Sequence, residues 1–122
     1  MSSDEIYREF IIDLYRNPLN KRENKNANFT KRGYNPICGD DLMVYLEVKD
    51  GIIQDCSYTG NACALAIASA SIISEELKGQ SVEYIKELTE DKIYELIGLG
   101  KDLNRIKCVK LMINTINEME IK

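Results

Sequence analysis

The chain is 122 residues long, 44% hydrophobic and 30% charged, with a formal net charge of −4. That length suits a single domain over residues 1–122, with a core of its own but not two, and the acidic balance argues against nucleic acid as the main partner. No apolar run approaches a membrane span, and Met1-Ser2-Ser3-Asp4-Glu5 lacks the basic start of a signal peptide, so a cytoplasmic protein without a membrane partner is expected.

Ser2 or Ser3, followed by Asp4 and Glu5, starts a helix with acids facing the positive end of its dipole. Ile6, Phe10, Leu14 and, less tightly, Ile11 recur at helical spacing until Asn17-Pro18 closes the segment. Residues 17–33 are polar and basic with little periodicity. They read as a solvated loop, or else as a basic arm from Lys21 to Arg32 that orders against an acidic partner. A short edge strand is expected to begin near Gly33-Tyr34. From Asp41 to Asp50 strict alternation predicts a strand, with Leu42, Val44, Leu46 and Val48 on one face and Met43, Tyr45, Glu47 and Lys49 on the other. Asp50-Gly51 is a hairpin turn, and Ile52 to Thr59 returns as the partner strand. Gly60-Asn61-Ala62 is a break. A helix rich in small residues follows from Ala64 to Lys78, with Ala66, Ala70, Ile73 and Leu77 as its inward stripe and Gly79 as its stop. Ser81-Val82-Glu83-Tyr84 and Thr89-Glu90-Asp91 open two short helices. The last helix, roughly Asp102 to Met119, carries Ile106, Val109, Ile113 and Ile116 on its buried line, with Cys108, Met112 and Thr115 beside it. The expected fold is α+β, a small antiparallel three-stranded sheet with helices packed on it.

Histidine is absent and cysteine occurs four times. The first fact removes imidazole ligands, imidazole bases and every triad built on them. The second, in a reducing compartment, favours metal or redox chemistry over disulfides. Cys38 stands in Asn35-Pro36-Ile37-Cys38-Gly39-Asp40-Asp41, where Gly39 permits a sharp turn that lets Cys38 and Asp40 face one centre. Cys63 lies at the mouth of a helix, whose dipole favours the thiolate, and Cys108 lies near the start of the last helix. Cys56, inside a strand between Asp55 and Ser57, reads as a packing residue. Three thiolates and Asp40 would close a tetrahedral zinc site or hold an iron–sulfur cluster with one oxygen ligand. Their long spacing is equally that of small buried hydrophobes, and spacing does not choose.

The combination of Asn35-Pro36, Cys38-Gly39-Asp40, Asp50-Gly51-Ile52-Ile53, Gly60-Asn61-Ala62-Cys63, Ala68-Ser69-Ala70-Ser71, Lys78-Gly79 and Arg105-Ile106-Lys107-Cys108 resembles the U-type iron–sulfur assembly proteins, IscU, SufU and the N-terminal domain of NifU. The resemblance covers nearly the whole chain and implies the SufE/NifU-like form of the α+β fold. It further implies a scaffold on which a transient [2Fe–2S] cluster is assembled and then passed to recipient apoproteins. Sulfur would come from a pyridoxal-phosphate cysteine desulfurase. Cys38, Asp40, Cys63 and Cys108 would be the ligands of cluster or metal, and Cys108 the sulfur acceptor; a monomer or weak homo-oligomer is expected.

Two departures from the IscU pattern bear on function. Lys107 stands where that branch has histidine before the last cysteine, as in the SufU branch; it is either a solvated helix lysine or a modulator of Cys108 or of desulfurase contact. Leu103-Asn104-Arg105-Ile106-Lys107 replaces a proline-containing chaperone-binding stretch. Yet the interval from Cys63 to Cys108 is too short for the insertion typical of SufU. The resemblance therefore implies either the scaffold or a zinc-dependent sulfurtransferase using the same four ligands.

Overall fold

Alternation along β2, Asp40–Lys49, organises the sheet. Leu42, Val44 and Leu46 are fully buried on one face, while Met43, Tyr45 and Glu47 are half-buried on the other. The computed structural model describes residues 3–36, 39–97, 106–119 and 121. β1, Phe29–Asn35, and β3, Ile52–Asn61, flank β2 on either side, both antiparallel to it. Asp50 and Gly51 turn the β2–β3 hairpin with φ of 53° and 75°, the pair of left-handed residues that matches strand twist. A bulge between Glu47 and Val48 breaks the alternation near that turn, so Val48 is only half-buried where continuous alternation would bury it.

Of the helices α1, Ser3–Arg16, α2, Ala64–Leu77, α3, Glu90–Ile97, and α4, Ile106–Asn117, α2 and α4 pack on the sheet, whose buried face carries Leu42, Val44 and Leu46, and α1 and α3 pack against those helices. A 3-10 helix, Val82–Glu87, precedes α3. α2 is central. Ala66, Ala68, Ala70, Ile73 and Leu77 are buried in it together with Ser69, Ser71 and Ser74, and it touches α1, α4 and β3. A helix apolar around most of its girth belongs inside, and its small side chains let neighbours approach closely. The Tyr58 hydroxyl from β3 shares a 2.7 Å hydrogen bond with Ser71 Oγ, which satisfies both buried groups. α4 closes over β1 and α2 with Val109, Met112, Ile113 and Ile116 nearly inaccessible. Gly33 of β1 lies under Thr115, whose Oγ1 a Cβ at that position would strike. Full burial of such side chains stabilises the fold by about 1.5–3 kcal/mol apiece.

The segment expected as a solvated loop is in fact stitched to the sheet, and its strand starts earlier, at Phe29 rather than near Gly33. Asn20 adopts a left-handed φ of 62°. Its carbonyl accepts from the Tyr58 amide at 3.1 Å, and its side chain donates to Ser74 Oγ and Glu75 Oε2 at 3.0 Å each. Arg22 pairs with Asp55 at 2.7 Å, and Asn24 donates to Glu47 and to Asp55. Asn28 uses its side-chain amide as an extra rung, giving to the Val48 carbonyl and taking from the Val48 amide at 2.8 Å each. The acids that order the arm are therefore the chain's own. By running beside β3 at Lys21 and Tyr58, the arm also covers an edge that would otherwise be open to foreign strands.

Phe10 is 45% exposed, and Ile11 and Leu14 alone of the described stripe are buried in α1; among the described residues α1 packs mainly on α2, which covers a narrow stripe. Gly60 and Asn61 continue β3 rather than breaking it, since Gly60 adopts a φ of 120° and sits so close to Asp41 that a Cβ would strike the Asp41 carbonyl oxygen. The side chains of Ile6 and Ile106, and residues 98–105, lie outside the described residues.

Candidate metal centre

Three element starts meet at one end of the sheet. Asp40 is the first residue of β2, opposite Asn35 of β1, directly after Gly39 with its φ of 71°. Successive strand residues point to opposite faces, so Asp40 and Asp41 part company. Asp41 faces outward and is held by Arg32 through two bonds of 2.7 Å, Nε to Oδ1 and Nη2 to Oδ2; the hydrogen bond and charge of that guanidinium keep its carboxyl below the usual carboxylate range. Asp40 turns inward and is 1% exposed.

There it meets Cys63, which stands immediately before α2 with extended backbone, φ −64° and ψ 163°, and makes no side-chain cap bond of its own. The Cys63 amide donates instead to Asp40 Oδ1 at 2.8 Å, and Cys63 Sγ lies 3.9 Å from Asp40 Oδ2. Cys108, on the third residue of α4 and buried, completes the cluster. A carboxylate oxygen of Asp40 and the sulfurs of Cys63 and Cys108 all lie within 4.8 Å of one another.

The chemistry of this set suits a cation. Asp40 is a buried carboxylate to which no Lys or Arg is paired among the described residues, its contacts being the Cys63 amide and thiol. An uncompensated buried charge is expensive, whereas a metal ion facing one oxygen and two sulfurs would neutralise it. Donors about 2.0–2.3 Å from a single zinc stand about 3.5–4 Å apart, so the spread seen here is within a side-chain rotation of a coordination shell. Cys56 offers a contrast. It is fully buried among the core residues, and burial, reinforced by the Asp55 charge, pushes its thiol up to about 12. It packs; it does not face the site.

Of the residues singled out from the sequence, the structure thus brings Asp40, Cys63 and Cys108 together. Cys38 lies outside the described residues, as does the side chain of Lys107. Sequence reasoning did not foresee the Cys63 amide bond to Asp40. The one available signal was negative: Asn61-Ala62-Cys63 puts no Ser, Thr or Asp directly before α2, so the helix must find a cap elsewhere.

The sequence matches the family described as NifU-like N terminal domain over residues 6–119. The chain belongs to that family. Within this NifU-like group it is 32% identical over 106 residues to the iron–sulfur cluster assembly scaffold protein IscU 1 of Archaeoglobus fulgidus, covering 87% of this chain and 69% of that protein. It is 30% identical over 125 residues to the zinc-dependent sulfurtransferase SufU of Bacillus subtilis, covering 88% and 84%. The crystal structure of the SUF-system protein FiSufU from Fervidobacterium islandicum superposes with a TM-score of 0.76 at 26% identity, covering 95% of this NifU-like chain and 97% of that one.

Proposed function

We propose that this NifU-like protein is an iron–sulfur cluster assembly scaffold. It receives sulfur from a cysteine desulfurase, assembles a transient [2Fe–2S] cluster on Cys38, Asp40, Cys63 and Cys108, and passes the cluster to recipient apoproteins in the cytoplasm. The observation that supports this reading most directly is the convergence of the Asp40 carboxylate with the thiols of Cys63 and Cys108 within 4.8 Å, at a carboxylate with no cationic partner among the described residues. The IscU name carried by the Archaeoglobus relative supports the same assignment.

The donor set suits temporary custody. Asp40 puts a hard oxygen into a soft sulfur shell, which holds iron less firmly than four cysteines would. A scaffold must release its cargo, and a permanent electron-transfer site need not. Cys108 is the proposed sulfur acceptor. Its thiolate attacks the terminal sulfur of the desulfurase persulfide, so the persulfide S–S bond breaks, a new S–S bond forms on Cys108, and the desulfurase cysteine leaves as thiolate. Lys107 is the residue best placed in sequence to modulate that step.

The similarity to the Bacillus zinc-dependent sulfurtransferase favours a second reading, in which zinc occupies the same ligands and sulfur transfer is the whole activity. Anaerobic reconstitution with ferrous iron, cysteine, a desulfurase and a thiol reductant, which supplies the electrons that take persulfide sulfur to sulfide, separates them. Visible absorption with stoichiometric iron and sulfide, movable to an apo-ferredoxin and lost in Cys108→Ser, is the scaffold outcome. Retained zinc, no chromophore, and desulfurase turnover stimulated by the wild type but not by Cys108→Ser would replace it with the sulfurtransferase.

A further inference from the structure

We infer that Asp40 serves two structures at once: it is the cap of helix α2 from across the chain, and by that bond it positions the Cys63 thiol before any metal arrives. A helix start leaves amide donors without intrahelical partners, and side chains of the residue just before the helix usually answer them. Here that residue is Cys63, whose side chain makes no cap bond. The answering oxygen is Asp40 Oδ1, twenty-three residues earlier, at 2.8 Å from the Cys63 amide. An anionic oxygen at this place also meets the positive end of the α2 dipole. One oxygen is thereby committed to the fold. The other, Oδ2, is the one near Cys63 Sγ, at 3.9 Å.

The consequence is a prebuilt corner. The amide bond fixes the backbone of Cys63 against the first residue of β2, so sulfur and oxygen are presented together. Asp40 is therefore a positioning residue as well as a ligand; the ligand half rests on the metal-site reading above, and the cap half does not. Ligand exchange at Asp40 then leaves α2 anchored, because the oxygen that holds the helix is not the one that faces the cargo.

The test uses the metal-free full chain and two substitutions. Asp40→Asn keeps an acceptor oxygen for the Cys63 amide but loses the anion, while Asp40→Ala loses both. Amide hydrogen exchange of Cys63 is expected to be slow in the wild type and in Asp40→Asn and about tenfold faster in Asp40→Ala, the scale of losing one hydrogen bond. Zinc affinity by chelator competition is expected to fall in Asp40→Asn and to fall several-fold further in Asp40→Ala, since the latter also releases Cys63. Equal exchange in the two variants, or an unprotected Cys63 amide in the wild type, overturns the cap. Protection as expected with zinc affinity unchanged in both overturns the ligand half and the metal reading with it. If Asp40→Ala fails to fold while Asp40→Asn folds, the cap stands; if neither folds, the charge rather than the hydrogen bond is what the fold needs, and the inference falls.

Discussion

Two buried or nearly buried carboxylates, Asp55 and Asp40, stand in opposite circumstances. The Asp55 side chain is 15% exposed and accepts from Arg22 at 2.7 Å and from Asn24 at 2.8 Å, with Lys78 Nζ at 3.9 Å. Asp40 is more deeply buried, yet among the described residues it has the Cys63 amide and two neighbouring thiols in place of a cation. Burial alone pushes the Asp55 carboxyl up, but Arg22, Lys78 and Asn24 reverse this and leave it lowered. At Asp55 the chain supplies the counter-charges itself. Asp40, beside two sulfurs, has no cationic partner among the described residues, and a bound metal ion would supply its counter-charge.

The largest expected effect breaks the pair apart by metal binding. Cys108→Ser should weaken zinc binding by at least about 10–100-fold, since substitutions merely behind a metal ligand already do that much. Asp55→Asn should leave it unchanged, and chelator competition reads both. In urea unfolding of the metal-free protein the order inverts. Asp55→Ala should lose about 1–3 kcal/mol, because it removes the carboxylate acceptor of Arg22 and one of the two acceptors of Asn24, with the lower half of that range favoured by the 49% exposure of the Arg22 side chain. Asp40→Asn should cost little or add stability, since it removes a buried charge with no cationic partner among the described residues and keeps an acceptor. An Asp40→Asn variant as damaged as Asp55→Ala would show that Asp40 is a structural charge after all.

Acid gives a finer version. The folded Asp55 carboxyl sits below its unfolded value, so its contribution is fully present above about pH 4, the ordinary carboxylate value, and is lost as pH falls through the lower folded value. Stability of the wild type should therefore decline on acidification below about pH 4 more steeply than that of Asp55→Asn. Parallel acid limbs for the two proteins would mean that the Arg22 pair contributes nothing in solution.

How much of this was legible in the sequence depended on whether the physics is periodic. Leu42, Val44 and Leu46 alternate, and Ala66, Ala70, Ile73 and Leu77 recur at helical spacing, so strands and helices could be read directly. Asp50-Gly51 carries its own turn chemistry. The arm from Asn20 to Asn28 is held by asparagine side chains bonding to Ser74, Glu75, Asp55 and the Val48 backbone, interactions with no period and with partners far along the chain. It looked like a solvated loop for that reason. At the site, strand alternation separates Asp40 from Asp41, but which of the two turns inward depends on register, and register is set by the β1–β2 pairing of Asn35 with Asp40. The resemblance named Asp40; the pairing supplies the physical reason.

Asp41 then provides the smallest and most discriminating control. It differs from Asp40 by one residue and one face of the sheet, and it has what Asp40 lacks among the described residues, a guanidinium on both oxygens. Both members of that pair are exposed, at 59% for Arg32 and 41% for Asp41, so water and salt screen it and little stability hangs on it. Arg32→Ala should shift neither the unfolding midpoint nor zinc affinity measurably, and Asp41→Asn should behave alike. If instead Asp41→Asn lowered zinc affinity as Asp40→Asn is expected to, the two carboxylates would be trading places at the metal, which requires β2 to slip by one residue. The register would then be a property of the metal-free chain alone, and Leu42, Val44 and Leu46 would have to leave the core for the metal to bind. Their complete burial in the present register opposes that slip, which would turn all three to the other face of the sheet.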